Sequence, residues 1–308
     1  MASLKEIRGR IKSAKNIQQI TKAMKMVAAA RLRRSQERMQ AVRPYADLIA
    51  GVLSAIARRA SDVASHPLLA PRPTPAKGLG TLRLVVFTAD KGLCGSFNVN
   101  VLRKAAQIIR ENQGLRKIEL VAVGRKGRDF FRHFNASTVG QFVQLGIVQY
   151  AVAEAITREQ VDAYLSGSVD EVILLYTNFK SVISLKPIAV RLLPFDMQQM
   201  DLEGPWGPSH AAEVAEAAAP ATGPEPEFEP SREVIFEQLV PRAVSMQVWR
   251  ALLESQASEF AARMTAMDNA SRNSKELIGS LTLYGNRIRQ AAITKEIAEL
   301  VGGSEALK

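Results

Sequence analysis

A glycine-containing loop, DKGLCGSFN at residues 90–98, is the stretch whose residue types most resemble a site for chemistry. Gly92 and Gly95 lie between a predicted strand and a predicted helix, where phosphate-binding loops occur. However, the dinucleotide fingerprint requires three glycines, and the P-loop requires Gly-Lys-Ser or Gly-Lys-Thr. Neither pattern is present, so we favour a structural turn or a contact with another protein over nucleotide binding.

The other residue types that could catalyse a reaction or bind a metal are scattered. His66, His133 and His210 have no metal-ligand spacing, and no Ser–His–Asp or paired-carboxylate pattern can be argued. Cys94 is the single cysteine, which excludes an intrachain disulfide and fits a reducing compartment. We expect Cys94 to be a small buried core residue. The sequence therefore predicts no catalytic, cofactor-binding or metal site on this chain.

The sequence on either side of this loop predicts an α/β domain over residues 81–196, which would position the loop. Continuous apolar runs typical of buried strands, such as TLRLVVF and KIELVAV, alternate with stretches of helical spacing. The alternation predicts a Rossmann-like, largely parallel sheet. STVGQFVQL fits either a short strand or a loop. The last two strands, DEVILLYTNF and LKPIAVRLLPF, are joined too closely for a parallel crossover, so we expect them to be antiparallel.

Residues 1–60 predict one long helix. Ser3 and Glu6 form a capping-box pattern, and no proline precedes Pro44. Apolar side chains recur at three-four spacing, but the step from Ala14 to Ile17 breaks the strict heptad and predicts a local distortion of the supercoil. The predicted seam residues are Leu4, Ile7, Ile11, Ala14, Ile17, Ile20, Met24 and Val27. A seam this long requires a partner of similar length.

The pattern of residues 231–308 predicts that partner helix. Its seam is rich in small residues, and each of its interior glycines costs about 1 kcal/mol relative to alanine. The predicted seam residues are Met264, Met267, Ser271, Ser274, Ile278, Leu281, Gly285, Ile288 and Ala292. We therefore predict a mixed α+β and α/β fold, in which the N- and C-terminal helices form a long antiparallel coiled coil and the centre is a Rossmann-like domain.

Two stretches separate these parts. Residues 61–80 are rich in proline and glycine and are interpreted as a linker. Residues 197–230 are acidic and rich in Pro and Ala, and we interpret them as an insert or loop that buries too little apolar area to offset its ordering entropy.

The charge is concentrated at the N-terminus. Residues 1–43 contain twelve Lys or Arg and two Glu, which accounts for nearly all of the net charge of +11. A basic helix predicts an acidic partner surface, and nucleic acid is the alternative. A solvated helix face is a further interpretation, but the helix has few of the i,i+4 glutamates that would pair its own cations.

Three separated motifs resemble the gamma subunits of the rotary ATP synthases. They are NIQQITKAMKMVAAARLRRSQ near the start, DKGLCGSFN in the middle, and NRIRQAAITKEIAELVGG near the end. The resemblance covers most of the chain in the same order. It implies a central rotor shaft of the bacterial type, whose coiled coil lies inside a ring of alternating alpha and beta subunits. It also implies a middle domain that rests on the membrane c-ring.

The resemblance also implies where partners are contacted. It maps Arg289 and Gln290 onto shaft residues that contact catalytic-subunit loops, although both could instead be solvated surface residues. The full set of predicted partner-contact residues is Lys22, Met24, Lys25, Lys91, Phe228, Glu229, Arg287, Arg289 and Gln290. Phe228 stands where the family commonly has tyrosine, and Gly285 interrupts the family's Tyr-Asn pair.

The resemblance and the residues together predict a non-catalytic gamma chain without a cofactor, present in one copy per complex. Its expected partners are the alpha and beta subunits, the epsilon subunit and the c-ring, and no nucleic acid is expected. Its expected location is the cytoplasmic face of the bacterial inner membrane, as a peripheral protein. The alternative function is a basic coiled-coil adaptor that binds nucleic acid or a membrane surface.

Overall fold

The computed structural model describes residues 4–57, 66–72, 80–132, 137–196, 229 and 231–305. The helices are α1 (Leu4–Ala57), α2 (Phe97–Asn112), α3 (Arg125–Phe131), α4 (Tyr150–Leu165) and α5 (Arg232–Glu305). The strands are β1 (Thr81–Phe87), β2 (Lys117–Val123), β3 (Ser137–Phe142), β4 (Glu171–Phe179) and β5 (Leu185–Leu193). The chain divides into two units. The coil unit is residues 1–29 with 263–308, and the sheet unit is residues 30–262, so α1 and α5 each contribute to both.

The strands of the sheet unit form one five-stranded sheet in the order β3-β2-β1-β4-β5. β1 pairs in parallel with β2 and β4, and β2 pairs in parallel with β3. β4 and β5 are antiparallel, with Tyr176 opposite Ile188, and Lys180 bonds to Ser184 across their turn. The predicted α/β sheet with an antiparallel last strand is therefore confirmed, and the ambiguous segment is the edge strand β3.

One face of the sheet packs against α2 and α3. Leu82, Leu84 and Val86 of β1 point to this face and lie in one apolar cluster with residues such as Val101 of α2 and Phe131 of α3. Alternation along β1 sends Arg83 to the opposite face, where its guanidinium donates to Glu119 of β2. This buried ion pair lies next to α4, because Arg83 also reaches the amide oxygen of Gln160.

The coil unit contains the start of α1 and the end of α5, and its two helices are antiparallel. Lys25 Nζ lies 2.6 Å from Asp268 Oδ1. A Cβ placed on Gly285 would lie 3.3 Å from Cγ2 of Ile7. Residue numbers that rise along α1 and fall along α5 define an antiparallel pair, so the predicted fold class is confirmed. Most of the predicted linker and the acidic insert lie outside the described residues.

Candidate functional site

The seam of the coil unit is built from small and hydroxyl-bearing side chains. On α1 the buried positions recur every seven residues at Ile7, Ala14, Thr21 and Ala28, and Ser274 is buried on α5. The hydroxyl groups are satisfied within their own helices, because Thr21 Oγ1 donates to the Ile17 carbonyl and Ser274 Oγ to that of Ala270. Polar residues can therefore occupy the seam without leaving an unpaired buried group.

The predicted seam on α1 is wrong at three of its last four positions. Ile17, Ile20 and Val27 are 52%, 58% and 53% exposed, whereas Met24 is half-buried. The heptad continues without a break because Thr21, and not an isoleucine, takes the next buried position. Apolar spacing alone missed this, since a threonine whose hydroxyl bonds to the preceding turn packs like a small apolar residue. The local distortion of the supercoil was predicted from the step between Ala14 and Ile17, and the buried positions do not follow that step.

The predicted seam on α5 is confirmed from Met264 to Ile288. Its nine predicted members are buried or half-buried with one exception, Ala292, which is exposed. The register explains the exception, since Ile7 lies level with Gly285 and the described part of α1 begins three residues earlier. From Arg289 to Gly302 every residue of α5 is exposed.

The outer surface of the coil unit carries uncovered apolar side chains on both helices. Isolated exposed apolar residues are ordinary, but these are numerous on a pair of helices that buries only a narrow seam. They are Ile17, Ile20, Met26, Val27, Leu277, Leu283, Tyr284, Ile293, Ile297, Leu300 and Val301. Such a surface is typical of a protein–protein interface.

Cations share this surface, and one of them is used inside the coil. Lys22 is exposed, whereas Lys25 is half-buried in its bond to Asp268. Arg272 contacts the other carboxylate oxygen of Asp268. The hydrogen bonds from Lys25 and Arg272 lower the pKa of the Asp268 carboxyl. Lys25, predicted as a partner contact, thus already has an intrachain partner.

The predicted contacts at the end of α5 all face outward. Arg287, Arg289 and Gln290 are exposed, and the seam residue Ile288 lies between them. The planar donor forks of the arginines are available for carboxylates or carbonyl groups of another protein. Phe228 lies outside the described residues, and Glu229 is exposed.

The glycine-containing loop lies at the carboxyl edge of the sheet and is tied there by Asp90. The Asp90 carboxylate accepts hydrogen bonds from the backbone N–H groups of Arg125, Gln144 and Leu145, at 3.0–3.1 Å. One side chain therefore joins the loops that follow β1, β2 and β3. Leu93, at the tip, has a φ of +62° and is 63% exposed. Such a backbone is strained for leucine, and strain of this kind is often associated with function.

The interior of this loop is filled by its own side chains. Cys94 is buried beside Phe97, as predicted, and its sulfur accepts from Asn98 Nδ2 at 3.2 Å. Asn98 Oδ1 accepts from the Ala89 N–H. Gly124 is required nearby, because a Cβ there would lie 2.0 Å from the Thr88 carbonyl oxygen. The geometry favours a structural turn that exposes Lys91 at its rim.

The histidines and cavities of the described residues offer no catalytic arrangement. His66 Nδ1 accepts from the Leu68 N–H, its ring meets Phe236 edge-on, and burial lowers its pKa. His133 and His210 lie outside the described residues. Within the described part of the chain no group of His, Cys, Asp or Glu could hold a metal ion, and no helix is long and apolar enough to cross a membrane.

A cavity of about 310 Å³ at the opposite edge of the sheet is lined by three arginines that are already engaged. Arg116 pairs with Glu171, Arg191 pairs with Asp196, and Arg72 donates to a backbone carbonyl. The charges of the cavity are therefore largely compensated within the chain.

Sequence reasoning missed two residues that organise this region. Asp90 follows β1 by three residues, and its bonds reach backbone groups 35 to 55 residues away, so no local pattern predicts them. The only sequence signal for Asp268 is its position next to the seam residue Met267.

Comparisons with known proteins match the same family along nearly the whole chain. The family model described as ATP synthase matches residues 3–307. The ATP synthase gamma chain of Heliobacterium modesticaldum is 46% identical over 310 residues, covering 100% of both chains. That of an Anaeromyxobacter species is 46% identical over 312 residues, with the same coverage.

Solved structures agree with the fold. The central stalk and c-ring structure of the Tetrahymena thermophila mitochondrial ATP synthase contains a chain with a TM-score of 0.58 and 29% identity, covering 82% of this chain and 99% of that one. A chain of the Euglena gracilis mitochondrial enzyme has a TM-score of 0.64 at 18% identity, covering 99% and 94%, which is a likeness of fold alone.

Proposed function

This chain belongs to the ATP synthase gamma chain family, and from that membership we infer how its residues serve as a rotating shaft. The gamma chain is the central shaft that couples ion flow through the membrane ring to ATP synthesis or hydrolysis in the alpha/beta hexamer. Its partners are the hexamer and the c-ring, and we add the epsilon subunit as a proposed third partner. It works at the membrane as a peripheral component, and we assign it to the cytoplasmic face of a bacterial inner membrane.

The observation that carries this function is the one-sided burial of the coil unit. The two helices cover only their own seam and leave apolar and basic side chains around the outside. The exposed residues are not the same on the two helices, because α5 exposes an aromatic side chain, Tyr284, next to Leu283, whereas the described part of α1 in the coil unit exposes only aliphatic apolar side chains. A turning coil of this kind presents different contacts to each catalytic subunit, and differential contact is what shifts a conformational equilibrium.

The contact residues are proposed from the family resemblance, and the exposure of several of them supports the proposal. Charge-assisted bonds from exposed arginines contribute roughly 1.5–3 kcal/mol when a partner shelters them from water. Arg289 and Gln290 have the exposure that such contacts need, and Lys91 offers a second point of contact at the sheet edge. The complete set of proposed partner contacts is Lys22, Met24, Lys25, Lys91, Phe228, Glu229, Arg287, Arg289 and Gln290.

The chain itself is proposed to be non-catalytic. The loop at the sheet edge uses Asp90 and Asn98 to bond backbone N–H groups, and Lys91 has no P-loop around it. The adaptor function, with nucleic acid or a membrane surface as partner, is not supported by the comparisons.

Reconstitution tests this function. Purified chain should hydrolyse no ATP alone, and its addition to purified alpha and beta subunits should raise their steady ATP turnover. A chain lacking residues 264–305 is the matched control, since it removes one coil helix and should not stimulate. Hydrolysis by the chain alone, or stimulation that is equal with the shortened chain, would contradict the proposal. Retention on DNA that is lost at moderate salt, without stimulation, would favour the adaptor.

A further inference from the structure

One stretch of α5 is buried on all sides yet contains four polar residues. Every residue from Ala251 to Ser258 is buried, and among them Glu254 and Ser258 are 0% exposed. Burying polar groups is unfavourable unless each finds a partner. Glu254, Gln256 and Ser258 have partners on the sheet or on the loop that follows β3, so the helix is held there by directional bonds as well as by apolar packing.

Glu254 lies at the centre of this arrangement. Its Oε1 accepts from Arg250 Nε at 2.8 Å, and its Oε2 accepts from Asn178 Nδ2 of β4 at 2.9 Å. The N–H of Phe179, the last residue of β4, also bonds to the carboxylate. Burial raises the pKa of the Glu254 carboxyl against the opposing effect of Arg250. A carboxylate with donors from its own helix and from the adjacent strand fixes the rotation of the helix against that strand.

Two further bonds fix the same stretch. Ser258 Oγ donates to the Thr177 carbonyl at 3.1 Å, one turn along from Glu254. Gln256 Nε2 donates to the Gly146 carbonyl at 3.3 Å. The helix is therefore bonded to two separate parts of the sheet unit, β4 and the loop that follows β3. Rotation of α5 about its own axis would break both sets of bonds at once.

Stability alone does not explain this choice of residues. A buried ion pair is often no more stabilising than well-packed apolar residues of the same volume, because desolvation offsets the Coulombic gain. Hydrogen bonds add a directional component to the apolar packing, because each one depends on an angle as well as on a distance. In a helix that transmits torque, this component opposes axial rotation.

We propose that Glu254 is a positioning residue that fixes α5 in rotation against the sheet, so that torque applied to the sheet unit is transmitted along α5. The inference rests on the proposed function, because only a rotating shaft carries torque between these parts. It assigns a mechanical role to a residue far along the helix from Arg289 and Gln290.

The test uses an apolar replacement that keeps the fold. Arg250→Met with Glu254→Leu removes the ion pair and its bond to β4 at a similar volume, while the bonds of Gln256 and Ser258 remain. Because the buried Asn178 Nδ2 then lacks its acceptor, the melting temperature should fall modestly. In the complete membrane complex, ATP synthesis should fall by roughly threefold or more, because fewer directional bonds then oppose rotation of the helix under load. Hydrolysis by the detached hexamer with this chain should be normal, because no load then acts on the sheet unit. A probe attached to the sheet unit should fluctuate over a wider angle when the coil is stalled.

A matched control sits on α2. Gln107 donates to Glu111 at 2.7 Å on the exposed face of α2, an i,i+4 pair like Arg250 and Glu254. Gln107→Met with Glu111→Leu should leave synthesis, hydrolysis and angular fluctuation unchanged. The milder Glu254→Gln keeps one acceptor oxygen for the strand and should give an intermediate angular width.

The outcomes separate this proposal from the function on which it rests. If wild-type chain fails to stimulate the alpha and beta subunits, the shaft function itself is wrong. If wild-type chain stimulates but the Arg250→Met, Glu254→Leu complex synthesises ATP normally with unchanged fluctuation, Glu254 has no positioning role. A parallel loss of melting temperature, hydrolysis and synthesis would also overturn it, because Glu254 would then be only structural.

Discussion

The helix α5 lies in two different environments, one buried and one largely exposed. The difference indicates which part of the helix stabilises the fold and which part is available to partners. Between Ala251 and Ser258 every residue is buried within the sheet unit. In the coil unit only a stripe ending at Ile288 is covered, and the residues beyond it are exposed. Buried apolar area is the main source of folding free energy, so the sheet unit should stabilise the chain and the coil unit should supply contacts.

The largest expected effect is a cavity in the sheet unit. Leu84 is 0% exposed at the centre of β1, and Leu84→Ala should lower the free energy of unfolding by about 3 kcal/mol. Urea unfolding can be followed by the fluorescence of buried Trp249 in a Trp206→Phe background. The matched change in the coil unit is Leu277→Ala, where the side chain is 50% exposed and the loss should be below about 1 kcal/mol. Equal losses at the two sites would remove the contrast.

The second effect should appear in activity without appearing in stability. Arg289→Ala with Gln290→Ala leaves the seam intact, so assembly and melting temperature should not change. ATP synthesis and hydrolysis should fall severalfold, because the arginine fork that we propose as a contact with catalytic-subunit loops is lost. Arg289→Lys keeps the charge without the fork and should restore only part of the activity.

Normal turnover in a fully assembled Arg289→Ala, Gln290→Ala complex would identify both as solvated surface residues. A fall in melting temperature would show that the end of α5 contributes to folding and not only to partner contacts.

The third effect is a gain in stability, which should differ between two glycines of α5. A Cβ on Gly279 meets nothing within 4 Å, so Gly279→Ala should stabilise the coil by about 1 kcal/mol through helix propensity. A Cβ on Gly285 would lie 3.3 Å from Cγ2 of Ile7, and the crowding there should cancel much of the same gain. Thermal unfolding followed by far-UV circular dichroism measures both. An equal gain at the two glycines would show that the seam is looser at Gly285 than the register indicates.

Strong local patterns predicted much of this fold. The continuous apolar runs fixed the identity of β1, β2 and β4, and the short connection fixed the antiparallel β5, since each depends on chain-local constraints. The α5 seam was predictable because its three-four steps are unbroken from Met264 to Ile288.

The α1 seam and the internal polar contacts were not predictable in the same way. Thr21 is buried while Ile20 is exposed, and which face is covered depends on the partner helix rather than on hydrophobicity alone. From the sequence, Glu254 resembles an ordinary surface residue of a helix. Its bonds to Asn178 and Arg250 appear only in the structure. The predicted contact residues come from the family resemblance. The structure adds that six of them are exposed, namely Lys22, Lys91, Glu229, Arg287, Arg289 and Gln290.

The smallest expected effect is a pH dependence of the coil, carried by Asp268. Hydrogen bonds from Lys25 and then Arg272 lower the pKa of this carboxyl below its ordinary value of 3.8. A carboxyl whose pKa is depressed in the folded state stabilises that state above its unfolded pKa, and the stabilisation is lost as the pH falls through the folded value. The coil should therefore lose stability below about pH 4, and the loss should be small because the ion pair is partly exposed and screened by salt.

Asp268→Asn tests this expectation, because asparagine keeps the shape and cannot titrate. The difference in melting temperature between pH 6 and pH 3 should be smaller in Asp268→Asn than in the wild type. Glu119 of the sheet unit also has a lowered pKa, since the bonds from Arg83 and Lys117 outweigh its desolvation, so part of the acid loss should remain in the variant. Lys25→Met should reduce the same difference, and combining it with Asp268→Asn should add little, because the two residues share one bond. An unchanged acid loss in Asp268→Asn would show that the interhelical pair does not stabilise the coil, and that its seam alone holds the two helices together.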